Sequence, residues 1–359
     1  MPVTTPLMRA LGLTSPVIQA PMAGGGDTPD LAAAVSEAGG LGSTGATYLT
    51  PEAFKAAAAK IRGRTNRPFA VNLFAPQPVP PRPEDAAKAL ATVADHGARI
   101  SAPEPVLPET MTDPFERNFP IALESGAKVF SFTFGLLPAD AVAAAKARGM
   151  LLIGTATTPA EAAELERMGA DAVVAQGSEA GGHRGTFVAS FEASMIGTMA
   201  LVPQVVDAVT VPVIASGGIM DGRGIAAALA LGAQAVQMGT AFLTTAEAGP
   251  PECYKQAILD ARPEQTRVTR AFSGRPARGI VNRFMEAMEP AGDHRNVMPF
   301  PWQNALTRPM RTAAALAGDT GLLSLWAGQG LGLARRETAA DLMARLAAET
   351  DSAISRLSS

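Results

Sequence analysis

Residues 211–240 read VPVIASGGIMDGRGIAAALALGAQAVQMGT, and their order decides the architecture. An apolar run at 212–216 closes on Ser216-Gly217-Gly218, an Ala-rich segment of helical period follows at 222–231, and Gly232 stops it. A second apolar run, 235–239, then ends in Gln237-Met238-Gly239-Thr240. Strand, helix, strand within about thirty residues is a parallel βαβ unit. No charged residue lies between Gly224 and Ala246, and that length would satisfy a membrane window. Gly232, Gln234, Gln237, Gly239 and Thr240 interrupt the stretch, however, and its period changes midway, so a buried helix followed by a buried strand is the better reading.

The same unit recurs outward in both directions. Eight apolar runs bounded by Gly or Pro lie at 17–20, 41–45, 69–74, 128–134, 151–155, 172–176, 212–216 and 235–239. Helical segments at 29–38, 51–61, 138–148, 158–168 and 222–231 separate most of them. Thr28-Pro29, Thr50-Pro51 and Thr158-Pro159 place a capping hydroxyl before a proline at the first helical position. Glycine after Ala38, Arg148, Met168 and Leu231 marks where each helix turns back. Eight repeats predict an α/β fold, a (β/α)8 TIM barrel. Residues 1–246 are expected to form it, with a Pro-rich loop insertion at 75–120. A small helical lobe, 247–307, is expected over the barrel mouth, and helices in 308–359 to rejoin the barrel, the last of them amphipathic at 338–349.

Composition narrows the function classes. The chain has 359 residues, 47% of them apolar, with 35 glycines and 29 prolines, which fits many short elements around a real core. A net charge of −3 without runs of like charge offers no footprint for nucleic acid or a membrane surface. The lone Cys253 excludes an internal disulfide, and the first residues lack the basic-then-apolar order of a signal peptide, so a reducing, cytoplasmic compartment is expected. His96, His183 and His294 are far apart and stand beside no ligand-spaced Cys or acid pair, so no metal is expected.

In a TIM barrel the chemistry gathers where the strands end, and these ends are polar. Ser216, Gly217 and Gly218, with Gln237, Met238, Gly239 and Thr240, form two adjacent glycine turns whose amides, together with a following helix N-terminus, suit a phosphate. Asn72, Gln176 and Gln237 suit the donor and acceptor edges of a planar heterocycle such as an isoalloxazine. Gly40-Leu41-Gly42-Ser43-Thr44-Gly45 matches the dinucleotide-binding string, but these glycines end a helix and form a strand, the reverse of what that fingerprint needs. His183, in a Gly-flanked loop beside Ser178, Glu179 and Arg184, is the candidate base or hydrogen-bonding group.

The strings Gln19-Ala20-Pro21-Met22-Ala23-Gly24-Gly25, Val71-Asn72-Leu73-Phe74, the loop from Ala175 to Gly185, and Pro212 to Ile219 together resemble the nitronate monooxygenase family, formerly called 2-nitropropane dioxygenases, in its class I branch. The similarity runs from about residue 10 to residue 335. It implies non-covalent FMN, with Ala20, Pro21 and Met22 backing the isoalloxazine, Asn72 and Gln176 hydrogen-bonding it, and Gly181 giving it close backbone approach. The two glycine turns would hold its phosphate, and His183 matches the family's catalytic histidine. The implied reaction oxidises alkyl nitronates such as propionate 3-nitronate with O2, in a monomer or homodimer. Class I relatives usually carry tyrosine where this chain has Phe300, in Phe300-Pro301-Trp302-Gln303-Asn304. The rival on the same scaffold is an NAD(P)H-dependent flavin reductase acting on a quinone or enoyl thioester. A Schiff-base aldolase would need a lysine at a strand's C-terminal end, and none ends one.

Overall fold

The eight apolar runs become eight parallel strands in the computed structural model, which describes residues 3–358. They are β1 (Val17–Gln19), β2 (Gly42–Gly45), β3 (Phe69–Phe74), β4 (Val129–Thr133), β5 (Leu151–Ala156) and β6 (Ala172–Gln176). After a two-residue strand of another sheet, β7 (Gly182–His183), come β8 (Val213–Ser216) and β9 (Ala235–Met238). The order β1-β9-β8-β6-β5-β4-β3-β2 is parallel throughout. Leu41 closes the ring: its N–H donates to Val17 O at 3.0 Å and its carbonyl accepts from Gln19 N at 2.9 Å.

Local chemistry sets the helices around this ring. The hydroxyls of Thr28, Thr50 and Thr158 accept from Leu31, Ala53 and Glu161 N at 3.0, 3.2 and 3.2 Å, each followed by proline in the first turn. Such a cap contributes about 1 kcal/mol. An N-terminal helix, Pro6–Leu11, plugs the barrel floor by burying Leu7, Met8 and Leu11 against Ile18, Ile153 and Ile214. Each such side chain contributes roughly 1.5–3 kcal/mol, and the sealed floor leaves only the opposite mouth open to a ligand. The last helix, Ala339–Ser358, is longer than the expected 338–349 and serves as the eighth helix of the ring, packed against Gly222–Ala230 and Pro29–Glu37. Gly222 permits this, since a Cβ there would lie 2.2 Å from the Glu349 carbonyl carbon.

The insertions cover the mouth. In 75–120 the helix Ala87–Ala98 packs on the long helix Trp302–Ala317, while Phe115–Glu124 completes the crossover from β3 to β4. The Pro-rich segment is pinned by Trp302, whose indole N–H donates to Pro80 O at 2.9 Å. The stretch expected to be a small helical lobe contains helices, Glu252–Asp260 and Arg283–Met288, and also two antiparallel strands, β10 (Thr266–Thr269) and β11 (Ala277–Ile280). The β-branched Thr266, Val268 and Thr269 favour extended backbone, and Gly274, at φ +83°, makes the turn between the strands. β11 also pairs with β7, Ala277 opposite His183, so the histidine loop is joined to the lobe by backbone pairing. A second core of Phe272, Phe284, Met285, Trp302, Leu306 and Met310 holds this cover together. Among the described residues no helix is long and apolar enough to cross a membrane.

Candidate active site

All fourteen residues nominated from sequence line one cavity of about 730 Å³ at the C-terminal ends of the strands. Ala20, Pro21 and Met22 form one wall. Asp27 fixes that wall by accepting from Met22 N at 2.5 Å, Gly45 N at 2.9 Å and the Thr44 hydroxyl at 3.2 Å. Burial pushes its carboxyl up to about 6, against the pull of those three hydrogen bonds.

The glycine turns lie side by side. Gly217 and Gly218 take φ +117° and +71°, which only glycine adopts at low cost. The amides of Gly217, Gly218, Gly239 and Thr240 have no acceptor among the described residues. After β8 the helix N-terminus does not assist: Asp221 caps it, accepting from Arg223 N at 3.0 Å and Gly224 N at 3.2 Å, and Glu349 takes Gly222 N at 3.1 Å. After β9, Gly239 caps and Thr240 opens the short helix Thr240–Leu243, so those two amides are themselves a helix start. Over them folds the Gly328-Gln329-Gly330 turn, with Gly328 N donating to the Thr240 hydroxyl at 3.0 Å. Gly181 serves this contact too, because a Cβ on it would meet the Ala327 carbonyl carbon and Gly328 N at 2.5 Å.

The amides differ in what they leave free. Asn72 donates to the Ser131 hydroxyl at 3.0 Å, leaving its carbonyl oxygen without a protein partner among the described residues. Gln176 braces the histidine loop: it donates to His183 O at 3.0 Å and accepts from Gly185 N at 2.8 Å, which leaves one amide hydrogen. Gln237 has no side-chain hydrogen bond among the described residues and faces the cavity.

Several groups hold the histidine loop. Buried Glu161 accepts from the Thr186 hydroxyl, Phe187 N and Val188 N at 2.8, 2.7 and 2.9 Å with one oxygen, and from Thr157 with the other. Although burial acts to raise it, these hydrogen bonds hold its carboxyl below the ordinary value. Arg184, buried, donates to Gln176 O and Ser194 O. His183 Nε2 lies 2.8 Å from the Ser273 hydroxyl oxygen. With the single hydroxyl hydrogen of Ser273 assigned to Arg275 O at 3.0 Å, Ser273 accepts from an Nε2–H and His183 Nδ1 carries the lone pair; the opposite assignment, Ser273 donating to Nε2, reverses the tautomer. Burial, and then the charges of Arg275 and Arg311, bring this imidazole down to about 3. It is neutral across the physiological range. Phe134, Trp326 and Phe300 ring it at centroid distances of 5.8, 5.7 and 6.4 Å, which puts the hydroxyl-free Phe300 beside the candidate base.

The sequence reading missed Tyr48, Ser273, Arg275, Asn304, Arg308, Arg311 and Trp326. Of these, Tyr48, Ser273, Asn304, Arg308, Arg311 and Trp326 line the same cavity, while Arg275 lies over the Phe134 ring at 3.7 Å. They come from the second strand's loop and from the cover, and only Asn304 falls in a string noted from sequence, Phe300-Pro301-Trp302-Gln303-Asn304. Among the described residues no group of three or more His, Cys, Asp or Glu is gathered for a metal.

The profile of a protein family described as nitronate monooxygenase matches residues 5–349. A probable nitronate monooxygenase of Bacillus subtilis is 45% identical over 324 residues, covering 90% of this chain and 92% of that one. Among solved structures, nitroalkane oxidase from Streptomyces ansochromogenes superposes with a TM-score of 0.88 at 44% identity, covering 96% of this chain and 98% of that one. FabK from Thermotoga maritima superposes at 0.78 and 30% identity, with 99% of each chain covered.

Proposed function

The chain belongs to the nitronate monooxygenase family, and from that premise we propose that it binds FMN and oxidises alkyl nitronates, propionate 3-nitronate among them, with O2. The observation that carries the reading is the pairing, in one cavity, of four acceptor-less amides at Gly217, Gly218, Gly239 and Thr240 with a neutral histidine whose Nδ1 is free. Four N–H donors without acceptors on two adjacent turns suit one terminal phosphate. The Ala20-Pro21-Met22 wall, the Asn72 carbonyl and the remaining Gln176 hydrogen suit a flat ring system with both donor and acceptor edges. FMN supplies, when bound, a two-electron acceptor that dioxygen can reoxidise.

The protein's own groups do the rest. Arg275 and Arg311 make the space around His183 favourable to an anion, so a nitronate is drawn in as the ionised species. For a neutral nitroalkane, Nδ1 of His183 accepts the α-proton while Ser273 holds the ring in the tautomer that exposes it. Phe134, Phe300 and Trp326 exclude water from that proton transfer.

The test mixes the purified protein anaerobically with propionate 3-nitronate or with NADH and follows the flavin spectrum. A spectral change with the nitronate supports the proposal. A response to NADH alone would favour the reductase, and a colourless protein that cannot be reconstituted with FMN would sink the cofactor assignment.

A further inference from the structure

A second cavity, of about 710 Å³, opens off the first between the Pro-rich segment, the histidine loop and the start of the helix Trp302–Ala317. The two share Tyr48, Phe74, Asn304 and Arg308 as a common throat. Arginines line the outer cavity, and its sole carboxylate, Asp113, is engaged with Gln77 N at 2.7 Å and Phe115 N at 2.8 Å. Among the described residues the side chains of Arg308 and Arg270 have only aromatic faces for partners, Tyr48 at 4.8 Å and Phe191 at 5.7 Å. Arg275 lies over Phe134 at 3.7 Å and donates to Thr186 O at 2.8 Å. None of these three pairs with a carboxylate among the described residues.

At the throat the Tyr48 hydroxyl is buried and makes no hydrogen bond, and neither does Nε of Arg311. Arg311, Arg308 and Arg275 all act electrostatically on that hydroxyl. A buried hydroxyl without a partner is costly, and so is crowding guanidiniums together, even though Glu161 supplies Arg275 with a compensating charge. An anion in the throat offsets both costs. The nitronate end must lie near His183 and the flavin-side wall, so an anion at the throat belongs to the other end of the substrate.

We infer that the guanidiniums running from the throat into the outer cavity, Arg308, Arg275 and Arg270, together with Tyr48, bind a carboxylate at the far end of the substrate, a short chain reaching the throat and a chain longer than that of propionate passing through it into the outer cavity. The preferred substrates are then ω-carboxylated nitronates of a range of lengths. The inference rests on the proposed nitronate oxidation and names its substrate class. Guanidinium forks and a phenol O–H match a planar carboxylate, and the apolar walls, Phe74, Val79, Met111 and Phe300 among them, match a methylene chain. The volume is within the range that holds ligands far larger than a three-carbon acid.

Straight-chain dicarboxylates of four to eight carbons test this without turnover, since a carboxylate has the shape and charge of a nitronate group. Calorimetric titration of the flavin-loaded protein should show each dicarboxylate binding about tenfold or more tighter than the monocarboxylate of equal length. Arg308→Met should erase most of that advantage, Arg308→Lys should keep part of it, and Tyr48→Phe should reduce it roughly threefold or more. Retained flavin content shows that each variant is folded. With preformed nitronates, the ratio of kcat/KM for carboxylated over neutral substrates should fall in the same variants. Equal binding of mono- and dicarboxylates, or an advantage indifferent to Arg308→Met, would overturn the inference while leaving nitronate oxidation intact. Weaker NADH binding in Arg308→Met with unchanged dicarboxylate binding would also overturn it. Tight dicarboxylate binding in a protein that oxidises no nitronate would uphold the anion site and remove the functional reading.

Discussion

Replacing Ser273 by alanine isolates the group that sets the protonation pattern of His183. Ser273 Oγ accepts from His183 Nε2–H at 2.8 Å and from Arg275 N at 3.2 Å while donating to Arg275 O at 3.0 Å, so the variant removes one fixed acceptor without touching the imidazole. A neutral hydrogen bond of this kind contributes about 0.5–1.5 kcal/mol. Losing it frees the proton to move to Nδ1, the nitrogen assigned to accept the substrate proton. At 1.36 kcal/mol per tenfold, the expected fall in kcat/KM on neutral nitroalkanes is roughly two- to thirteenfold. Preformed nitronates have already lost the proton and should change less than about twofold. Oxygen uptake with both substrate forms measures the split, and 15N-labelled histidine spectra read the tautomer directly in a chain with three histidines. Ser273→Thr, which keeps the hydroxyl, should restore most of the loss. A wild-type spectrum showing His183 protonated at Nδ1, or equal losses on both substrate forms, would refute the reasoning.

Three further outcomes are expected. His183→Asn should lower turnover of neutral nitroalkanes, but by less than the about 10²- to 10⁴-fold that removal of a well-matched general base costs, because burial and the charges of Arg275 and Arg311 bring this imidazole down to about 3; preformed nitronates should lose less still and flavin content should be unchanged, measured on the same oxygen-uptake assay. Gly239→Ala should retain flavin, because its Cβ would rest 3.6 Å from Ala20 Cβ, whereas Gly239→Asp brings a carboxylate to the phosphate-binding amides and should empty the site; absorbance of heat-released cofactor distinguishes them. Asp27 has a folded-state carboxyl raised from 3.8 to about 6, so its contribution to stability is greatest below pH 3.8 and is lost as pH rises through 6. Relative to Asp27→Asn, wild type should therefore lose up to about 3 kcal/mol between those limits in urea titrations, and parallel curves would show that Asp27 does not titrate there.

The barrel was legible because its signals are local. Each strand is a short apolar run, and caps such as Thr158-Pro159 act within one turn of their own position. The strand-end residues followed, since a barrel dictates which end of each strand matters. What stayed hidden depends on contacts across the chain. Ser273 reaches His183 only because β11 pairs with β7, a register that Thr266–Thr269 and Ala277–Ile280 specify jointly with a loop some ninety residues earlier. Gln176 looked like a free amide from its strand-end position, yet it hydrogen-bonds the loop that follows it. The Asp221 cap was visible as an Asp before a helix, and reading it as a cap would have removed that helix N-terminus from the phosphate site and left the glycine-turn amides.

The arginines around His183 act in two opposed directions, and the balance decides which substrate form the site favours. Arg275 and Arg311 attract an anion and, by the same field, add to the burial that chiefly brings the imidazole down to about 3. A base so weak is poorly matched to a nitroalkane carbon acid, because proton transfer is most effective when the catalytic group titrates near the working pH. The cavity thus favours substrates that arrive already ionised. Since kcat/KM reports ionisations of the free enzyme, its value with preformed nitronates should carry no His183-dependent inflection near the ordinary histidine value of 6.5, and repeating the profile in Asp27→Asn separates the titration of Asp27 near 6 in the adjoining wall. With neutral nitroalkanes the rate should rise with pH as the substrate ionises in solution. An inflection near 6.5 on the preformed nitronate that vanishes in His183→Asn would show that the two guanidiniums do not control the histidine, and the preference for ionised substrates would lose its basis.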